Sequence, residues 1–291
     1  MDLSIIMINY NTKELTEQAV ASVFQCNPKI SFEIIIVDNS SDAAQRYDLK
    51  QDKVRIFTHV ANKGFGNACN FGAKEASGRY LLFLNSDTIM HQRTLEQCIS
   101  YLDSHNRVGV LGERTLLEDG TLDHACKRGF PTPSASFYYF IGLDKRHPES
   151  HKFGAYRQTF LNENSVGEVD AVAGSFLMTP AAIFQKIGGF DESFFMYGED
   201  LDLCYRIKEK GYQIVYYGQT SITHLKGQSG LHTKSKIVIY HFYNAMRIFY
   251  KKHYQKKYGP FVSAVVYLAI ELKYRVTLFC MRKWLFGGLK E

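Results

Sequence analysis

Leu3-Ser4-Ile5-Ile6-Met7-Ile8 followed by Asn9-Tyr10-Asn11-Thr12, and Glu33-Ile34-Ile35-Ile36-Val37 followed by Asp38-Asn39-Ser40-Ser41-Asp42, decide how this chain folds. Each is an apolar run of strand length that breaks abruptly into small polar residues. The pattern recurs at Val54–Thr58, Tyr80–Leu84 and Val108–Leu111. Amphipathic stretches at Thr12–Cys26, Gly66–Ala76 and Gln92–Ser104 have helical spacing and separate the runs. Alternation of this kind predicts an α/β, Rossmann-like domain with a mostly parallel sheet and helices on both faces. Ligands of such sheets bind beyond the carboxyl ends of the strands. Chemistry is therefore expected in the residues that directly follow each run.

Further along, residues 112–167 read as an irregular, aromatic-rich insertion on the acceptor side, Val169–Thr179 as a strand, and Pro180–Ile187 as a short helix. Glu199–Lys210 reads as a helix stopped by Gly211, and Gln213–Tyr217 as a last strand. The 291 residues, 45% hydrophobic and 22% charged, suit one large α/β domain with an appendage. Six cysteines lie scattered without a C-x-x-C pair, as expected for reduced thiols in a cytosolic protein and not for a disulfide frame or zinc site. Leu3–Ile8 reads as a buried strand with no basic segment ahead of it, so no secretory leader is expected.

The chemistry-bearing residues form five groups. Asn9, Asn11 and Asp38 stand at strand ends, where they can hydrogen-bond a base or ribose; Thr12 fits a helix cap better. Asn62-Lys63-Gly64-Phe65-Gly66 opens a helix, with Asn70 and Gly72 behind it. Glycines there admit close approach of a ligand, and a helix N-terminus favours phosphate. Asn85-Ser86-Asp87 ends a strand, where a carboxylate beside a diphosphate suits a Mn2+ or Mg2+ site. Glu199, Asp200 and Asp202 crowd a helix start behind an aromatic run. An apolar wall raises a carboxylate's pKa, which suits Asp200 to the role of general base with Glu199 beside it; Asp202 reads as structural, paired with Arg206. His224 follows the last strand, with Lys226-Gly227-Gln228-Ser229-Gly230 after it. It reads either as a metal ligand or as a cation for the diphosphate.

Together these pieces resemble the family-2 glycosyltransferases of the GT-A fold over residues 3–230, and most resemble their rhamnosyltransferase branch. The residues that carry the resemblance are Asn9-Tyr10-Asn11, Val37–Asp42, Asn62, Gly64, Phe65, Asn70, Gly72, Leu84–Asp87, Gly188–Phe195 and Glu199-Asp200 with Asp202. The resemblance implies an inverting enzyme that moves L-rhamnose from dTDP-L-rhamnose to a lipid-linked glycan in bacterial surface-polysaccharide synthesis. Asp38 would contact the base, Asp87 would be the metal-binding acid of a D-x-D element, Asp200 the base and His224 a neighbour of the diphosphate. Asn85 stands where that element has its first acid, which keeps an oxygen and loses a charge. UDP-hexose or UDP-N-acetylhexosamine donors, or a non-catalytic scaffold, are the competing expectations.

The charge is uneven. Residues 231–291 hold 12 Lys or Arg and two acids, a balance of +10; the remainder has 23 basic and 27 acidic residues, a balance of −4. Phe261–Ile270 is almost wholly apolar, but Glu271, Lys273 and Arg275 follow it, so a run of about 20 apolar residues never forms. Aromatics mixed with cations predict an interfacial helical segment on an anionic membrane, with a hairpin against the body or a second subunit as the other outcome. The expected layout is a catalytic domain over 1–230 and a helical extension over 231–291. The expected setting is cytoplasmic, peripheral on the inner face of the cell membrane, with a polyprenyl-linked acceptor, a possible homodimer and no nucleic-acid partner.

Overall fold

The computed structural model describes residues 1–58, 61–225 and 235–287, with side chains through residue 281. Among the described residues nine strands form one sheet. They are β1 (Leu3–Asn9), β2 (Phe32–Asp38), β3 (Val54–Phe57), β4 (Tyr80–Leu84), β5 (Thr88–Met90), β6 (Val108–Leu116), β7 (Val166–Val169), β8 (Phe176–Pro180) and β9 (Gln213–His224). The order is β3-β2-β1-β4-β8-β6-β9-β5, with β7 on β9. The α/β architecture is as the alternation implied. The sheet is parallel across β3, β2, β1 and β4, and becomes mixed where β8 enters antiparallel to β4.

Every residue of β2 is buried, because helices cover both faces of the sheet. On one face Ile5, Ile34, Ile36 and Leu82 pack under α1 (Lys13–Gln25) and α3 (Thr94–Ser104). On the other, Ile6, Ile35, Val37 and Phe83 pack under α2 (Phe65–Glu75), α6 (Ala181–Ile187) and α7 (Glu199–Glu209). Alternate residues of one strand thus serve two cores.

Three boundaries differ from expectation. The run Val169–Thr179 is two strands, β7 and β8, separated by a turn over 170–175. The last strand, β9, continues seven residues past Tyr217, and His224 is its final residue, opposite Thr88 of β5. The insertion holds two helices, α4 (Pro133–Phe140) and α5 (Leu143–Arg146). Thr132 caps α4 through its hydroxyl, and Pro133 starts it.

The basic segment folds as α8 (Lys236–His253) and α9 (Gln255–Gly287), the latter broken at Gly259–Pro260. Phe249, Tyr250 and Tyr254 pack with Phe194 of the body, Ala245 beside them. Asp202 is fully buried at the seam and accepts from Arg206 Nε, His253 Nε2 and Lys252 Nζ, each at 2.7 Å. The structural role read for Asp202 thus extends to clamping the basic segment onto α7. The body therefore carries α8, and α8 carries α9. The expected division at 230/231 and the 226–230 loop fall within 226–234, outside the described residues, as do the side chains of Arg282, Lys283 and Trp284.

Candidate active site

The carboxyl ends of β1, β2 and β4 lie side by side, and Asn9, Asp38 and Asn85-Ser86-Asp87 come together there. Asn9 is 0% exposed. Its Nδ2 donates to Asp38 Oδ2 and to the Gln45 carbonyl, and its Oδ1 accepts from Thr16. Asn9, expected at the nucleotide, ties β1 to the loop after β2 through these bonds. Asp38 is buried as well, accepting from Ser40 N at 2.9 Å and Tyr47 N at 2.5 Å. Asn11 sits further out in a left-handed conformation (φ 57) and bonds Ser40, Ser41 and the Asp42 amide. Thr12 occupies the cap position of α1, yet its hydroxyl bonds Asn9 and Ser86 and makes no cap.

The glycine segment packs closely on the chain around Phe195. Gly64 has φ 103, and a Cβ there would stand 2.4 Å from the Phe195 carbonyl oxygen. The Phe65 amide donates to that same carbonyl at 2.9 Å, and Asn62 Oδ1 accepts from Gly64 N. Asn70 donates to the Phe190 carbonyl and Glu192 and accepts from the Phe190 amide. The close approach that glycine permits is thus to protein backbone. Gly64, Phe65 and Asn70, which with Asn62 were expected on the donor, bond or abut the 188–198 segment that leads into α7, and Asn62 bonds Gly64. Gly64→Ala is expected to cost about 2 kcal/mol or more in denaturant unfolding. Gly120→Ala, at a similar φ of 79 with nothing nearby, should cost clearly less.

Asp87 and His224 meet in the site. His224 Nε2 donates to Asp87 Oδ1 at 3.2 Å, and Nδ1 faces Asp123 Oδ2 at 3.4 Å. Burial pulls the imidazole pKa down, but hydrogen bonds to Asp123 and Asp87 outweigh it and raise the value to about 9. Among the described residues no three His, Cys, Asp or Glu side chains form a metal cluster. Asp123 stands on the far ring nitrogen, so it orients the ring and is no third ligand. One carboxylate and one imidazole nitrogen still converge, a pair that suits a divalent cation whose other ligands come from phosphate and water.

Glu199 and Asp200 separate in environment. Asp200 Oδ2 accepts from Arg128 Nη2 at 2.5 Å and Gly174 N at 3.1 Å, while Oδ1 accepts from Leu201 N at 2.7 Å. Glu199 Oε2 is buried without a partner. Burial first, and the Asp200 charge second, raise the Glu199 carboxyl to about 8. The apolar-wall effect expected for the pair therefore falls on Glu199, and Asp200 is instead an ion-paired carboxylate. A single turn ties the pieces together. Gly174 N donates to Asp200, and the Asn85 amide donates to the neighbouring Ser175 carbonyl at 3.2 Å. Asp123, Arg128 and Gly174 were not singled out from sequence. They lie in irregular chain where no periodicity marks them.

This combination of sheet, strand-end acids and paired acids at a helix start defines a nucleotide-sugar transferase of the GT-A type. The family model "Glycosyl transferase family 2" matches residues 4–164, and "Glycosyl transferase family group 2" matches 144–289; the chain belongs to glycosyl transferase family 2. It is 26% identical over 217 residues to the low-salt glycan biosynthesis hexosyltransferase Agl10 of Haloferax volcanii, covering 73% of this chain and 64% of that protein. It is 27% identical to the N-acetylglucosaminyl-diphospho-decaprenol L-rhamnosyltransferase of Mycobacterium tuberculosis, covering 78% and 77%. It is 29% identical to the rhamnosyltransferase WbbL of Escherichia coli K12, covering 65% and 71%. Among solved structures, GalNAc-T7 with UDP, GalNAc and Mn2+ has a TM-score of 0.60 at 15% identity, covering 94% of this chain and 54% of that one. S. aureus TarS 1-349 in complex with UDP-GlcNAc has 0.56 at 17%, covering 85% and 65%. These two share the fold.

Proposed function

We propose that the protein is an inverting rhamnosyltransferase that transfers L-rhamnose from dTDP-L-rhamnose to a polyprenyl-linked glycan at the inner face of the cell membrane. The observation that supports a transfer site here is the 174–175 turn, whose Gly174 amide bonds Asp200 and whose Ser175 carbonyl bonds the Asn85 amide of the Asn85-Ser86-Asp87 segment. Inversion needs one base, placed across the anomeric carbon from the leaving diphosphate. Asp200 is that base in this reading, its Oδ1 accepting from the Leu201 amide. Asp87 and His224 would hold Mn2+ or Mg2+, which when bound offsets charge on the leaving diphosphate. With no ion present His224 carries both ring protons, and it serves the same diphosphate as a cation. Asn11, Asp38, Asn85 and Ser86 shape the nucleotide end of the cleft. The rhamnose and the lipid carrier are supported by the names of the mycobacterial and E. coli relatives.

A ligand that binds only the folded state raises its stability by about 2.7 kcal/mol at a hundred times its Kd. A thermal-shift panel of dTDP, dTDP-rhamnose, UDP and GDP with Mn2+ or Mg2+ tests the donor. Metal-dependent stabilisation by the dTDP ligands is expected. Stabilisation by UDP alone would move the donor to a UDP-sugar, and no shift with any nucleotide would favour a non-catalytic scaffold.

A further inference from the structure

The middle of the insertion is a basic island in an acidic body. Residues 124–160 hold six Lys or Arg and two acids, a balance of +4, although the balance over 1–230 is −4. Such an island draws a ligand of opposite charge.

One cation of the island is held in place without spending its hydrogen bonds. Asp144 of α5 is 1% exposed, and neither of its carboxylate oxygens accepts a hydrogen bond. Arg157 Nε stands 3.7 Å from its Oδ2, a contact of charges too long for a hydrogen bond. A buried carboxylate is costly without a cation beside it, so the pair fixes where Arg157 stands. Tyr139 of α4 adds a ring, its centroid 5.1 Å from the guanidinium carbon. Among the described residues the Arg157 side chain donates no hydrogen bond, and it is 26% exposed. Its N–H fork is thus positioned, reachable and unspent, which is how arginine takes two oxygens of a phosphate.

Short links tie Arg157 to both ends of the candidate active site. Gly129 N donates to the Tyr156 carbonyl at 2.8 Å, and Lys127 Nζ to the Gln158 carbonyl at 3.1 Å. The residues on either side of Arg157 are therefore pinned to the 127–129 segment, whose Arg128 pairs with Asp200. The Tyr156 ring lies 5.1 Å from that of Tyr139. In the other direction is His124, whose pKa is lowered by burial and then by the charges of Arg157 and Lys127. It follows Asp123, the carboxylate that faces His224.

The adjoining surface narrows the choice of anion. Tyr139 also meets Phe140, with ring centroids 5.5 Å apart, and Phe140 is exposed together with Phe137 and Ile141 at the end of α4. Spacings of three and four residues put these three on one side of the helix. Lys273 of α9 rests on the Phe140 ring and brings a further cation. A free anion has no use for the apolar side chains. A phosphate ester that carries a hydrocarbon chain matches both the guanidinium and the aromatic tip.

We propose that Arg157, positioned by Asp144 and Tyr139, binds the diphosphate of a prenyl-linked acceptor whose sugar extends toward Asp200. This deepens, and rests on, the reading of a lipid-linked acceptor. It gives the acceptor's diphosphate residues of its own, apart from Asp87 and His224, which are read as serving the donor's.

The test is titration calorimetry of the full chain, in chelator, with farnesyl diphosphate, farnesol and inorganic pyrophosphate. Farnesyl diphosphate is expected to bind at least about tenfold more tightly than farnesol and several-fold more tightly than pyrophosphate. Arg157→Gln should weaken it by about tenfold or more, the worth of charge-assisted hydrogen bonds to phosphate. Arg157→Lys keeps the charge, loses the fork and should recover only part of the affinity. Because Arg157→Gln strands the buried Asp144 charge, Arg157→Gln with Asp144→Asn is measured beside it. That double variant should melt close to the wild type and still bind weakly. Wild-type affinity in the Arg157 variants would overturn the proposal, as would equal affinity for farnesol or for pyrophosphate. So would binding lost in His224→Gln and kept in Arg157→Gln, since the diphosphate would then lie in the donor's place. Nucleotide-induced thermal shifts with metal are read separately, so failure of the transferase reading and failure of the Arg157 site are distinguishable.

Discussion

Asp200→Asn is expected to lower kcat by about 100- to 10,000-fold, with dTDP binding in the presence of metal expected to stay within about twofold of wild type. That range is the usual worth of a positioned general base. The geometry sharpens the comparison, because the adjacent acid is an internal control. Glu199 is buried with one oxygen unpartnered and a pKa raised to about 8, so it is mostly protonated at neutral pH. A protonated carboxyl cannot take a proton from the acceptor. Glu199→Gln is close to an isostere of that form and should cost less than about tenfold in kcat. The opposite pattern, a large loss in Glu199→Gln and a small one in Asp200→Asn, would transfer the base to Glu199. One correction must accompany the assay. Asp200→Asn leaves Arg128 without its counter-charge, and breaking such a pair in a buried setting costs about 3 kcal/mol or more. The folded fraction at the assay temperature has to be measured alongside kcat, and a loss in kcat no larger than the loss of folded protein would remove Asp200 as the base.

Much of the frame was legible because strand signals are local. Tyr80–Leu84 has the bounds read from sequence, and Leu3–Ile8 and Glu33–Val37 fell short by one or two residues. The direction of β8 was not legible. An apolar run reads the same whether it pairs parallel or antiparallel, and its partner β4 lies far away in sequence. The glycine segment shows a related ambiguity. Gly64 signals a positive φ and a close approach, but a phosphate and the Phe195 carbonyl demand the same residue. The approach of Phe195, distant in sequence, is visible only in the tertiary structure. Asp123 and Arg128 stand in chain without periodicity, so nothing local marked the carboxylate that orients His224 or the guanidinium that pairs with Asp200. The division of labour within Glu199-Asp200 was out of reach for a simpler reason. Adjacent helical residues point about 100° apart. One therefore faces the apolar interior and the other Arg128, and the rotation of α7 that decides this is set by packing.

That rotation has a consequence for stability. Metal-free protein is expected to lose on the order of a few kcal/mol of unfolding free energy as pH rises from about 4.5 to about 9. Glu199 is raised from 4.5 to about 8, by burial first and the neighbouring Asp200 second. His224 is raised from 6.5 to about 9, because bonds to Asp123 and Asp87 outweigh burial. Both groups hold their proton more tightly folded than unfolded. For such a group the contribution is complete below the unfolded value and is lost as pH climbs through the folded one. The losses therefore run together, Glu199 over about 4.5–8 and His224 over about 6.5–9. On the acid side the sign reverses. Asp191 is lowered from 3.8 to about 2, since the bonds from Lys252 and Ser193 outweigh its burial, and Asp202 is lowered by His253 and Arg206 against its own burial. Their contribution is present above 3.8 and is lost as pH falls toward 2. Stability should thus peak near pH 4.5–6 and decline on both sides. Urea midpoints measured across pH in chelator for the wild type and Glu199→Gln separate the contributions. The variant cannot ionise there, so its curve should lose the limb between about 4.5 and 8 and keep the later one that belongs to His224. Parallel curves for the two proteins would mean that Glu199 titrates normally in the fold, and with that its distinction from Asp200 would fall.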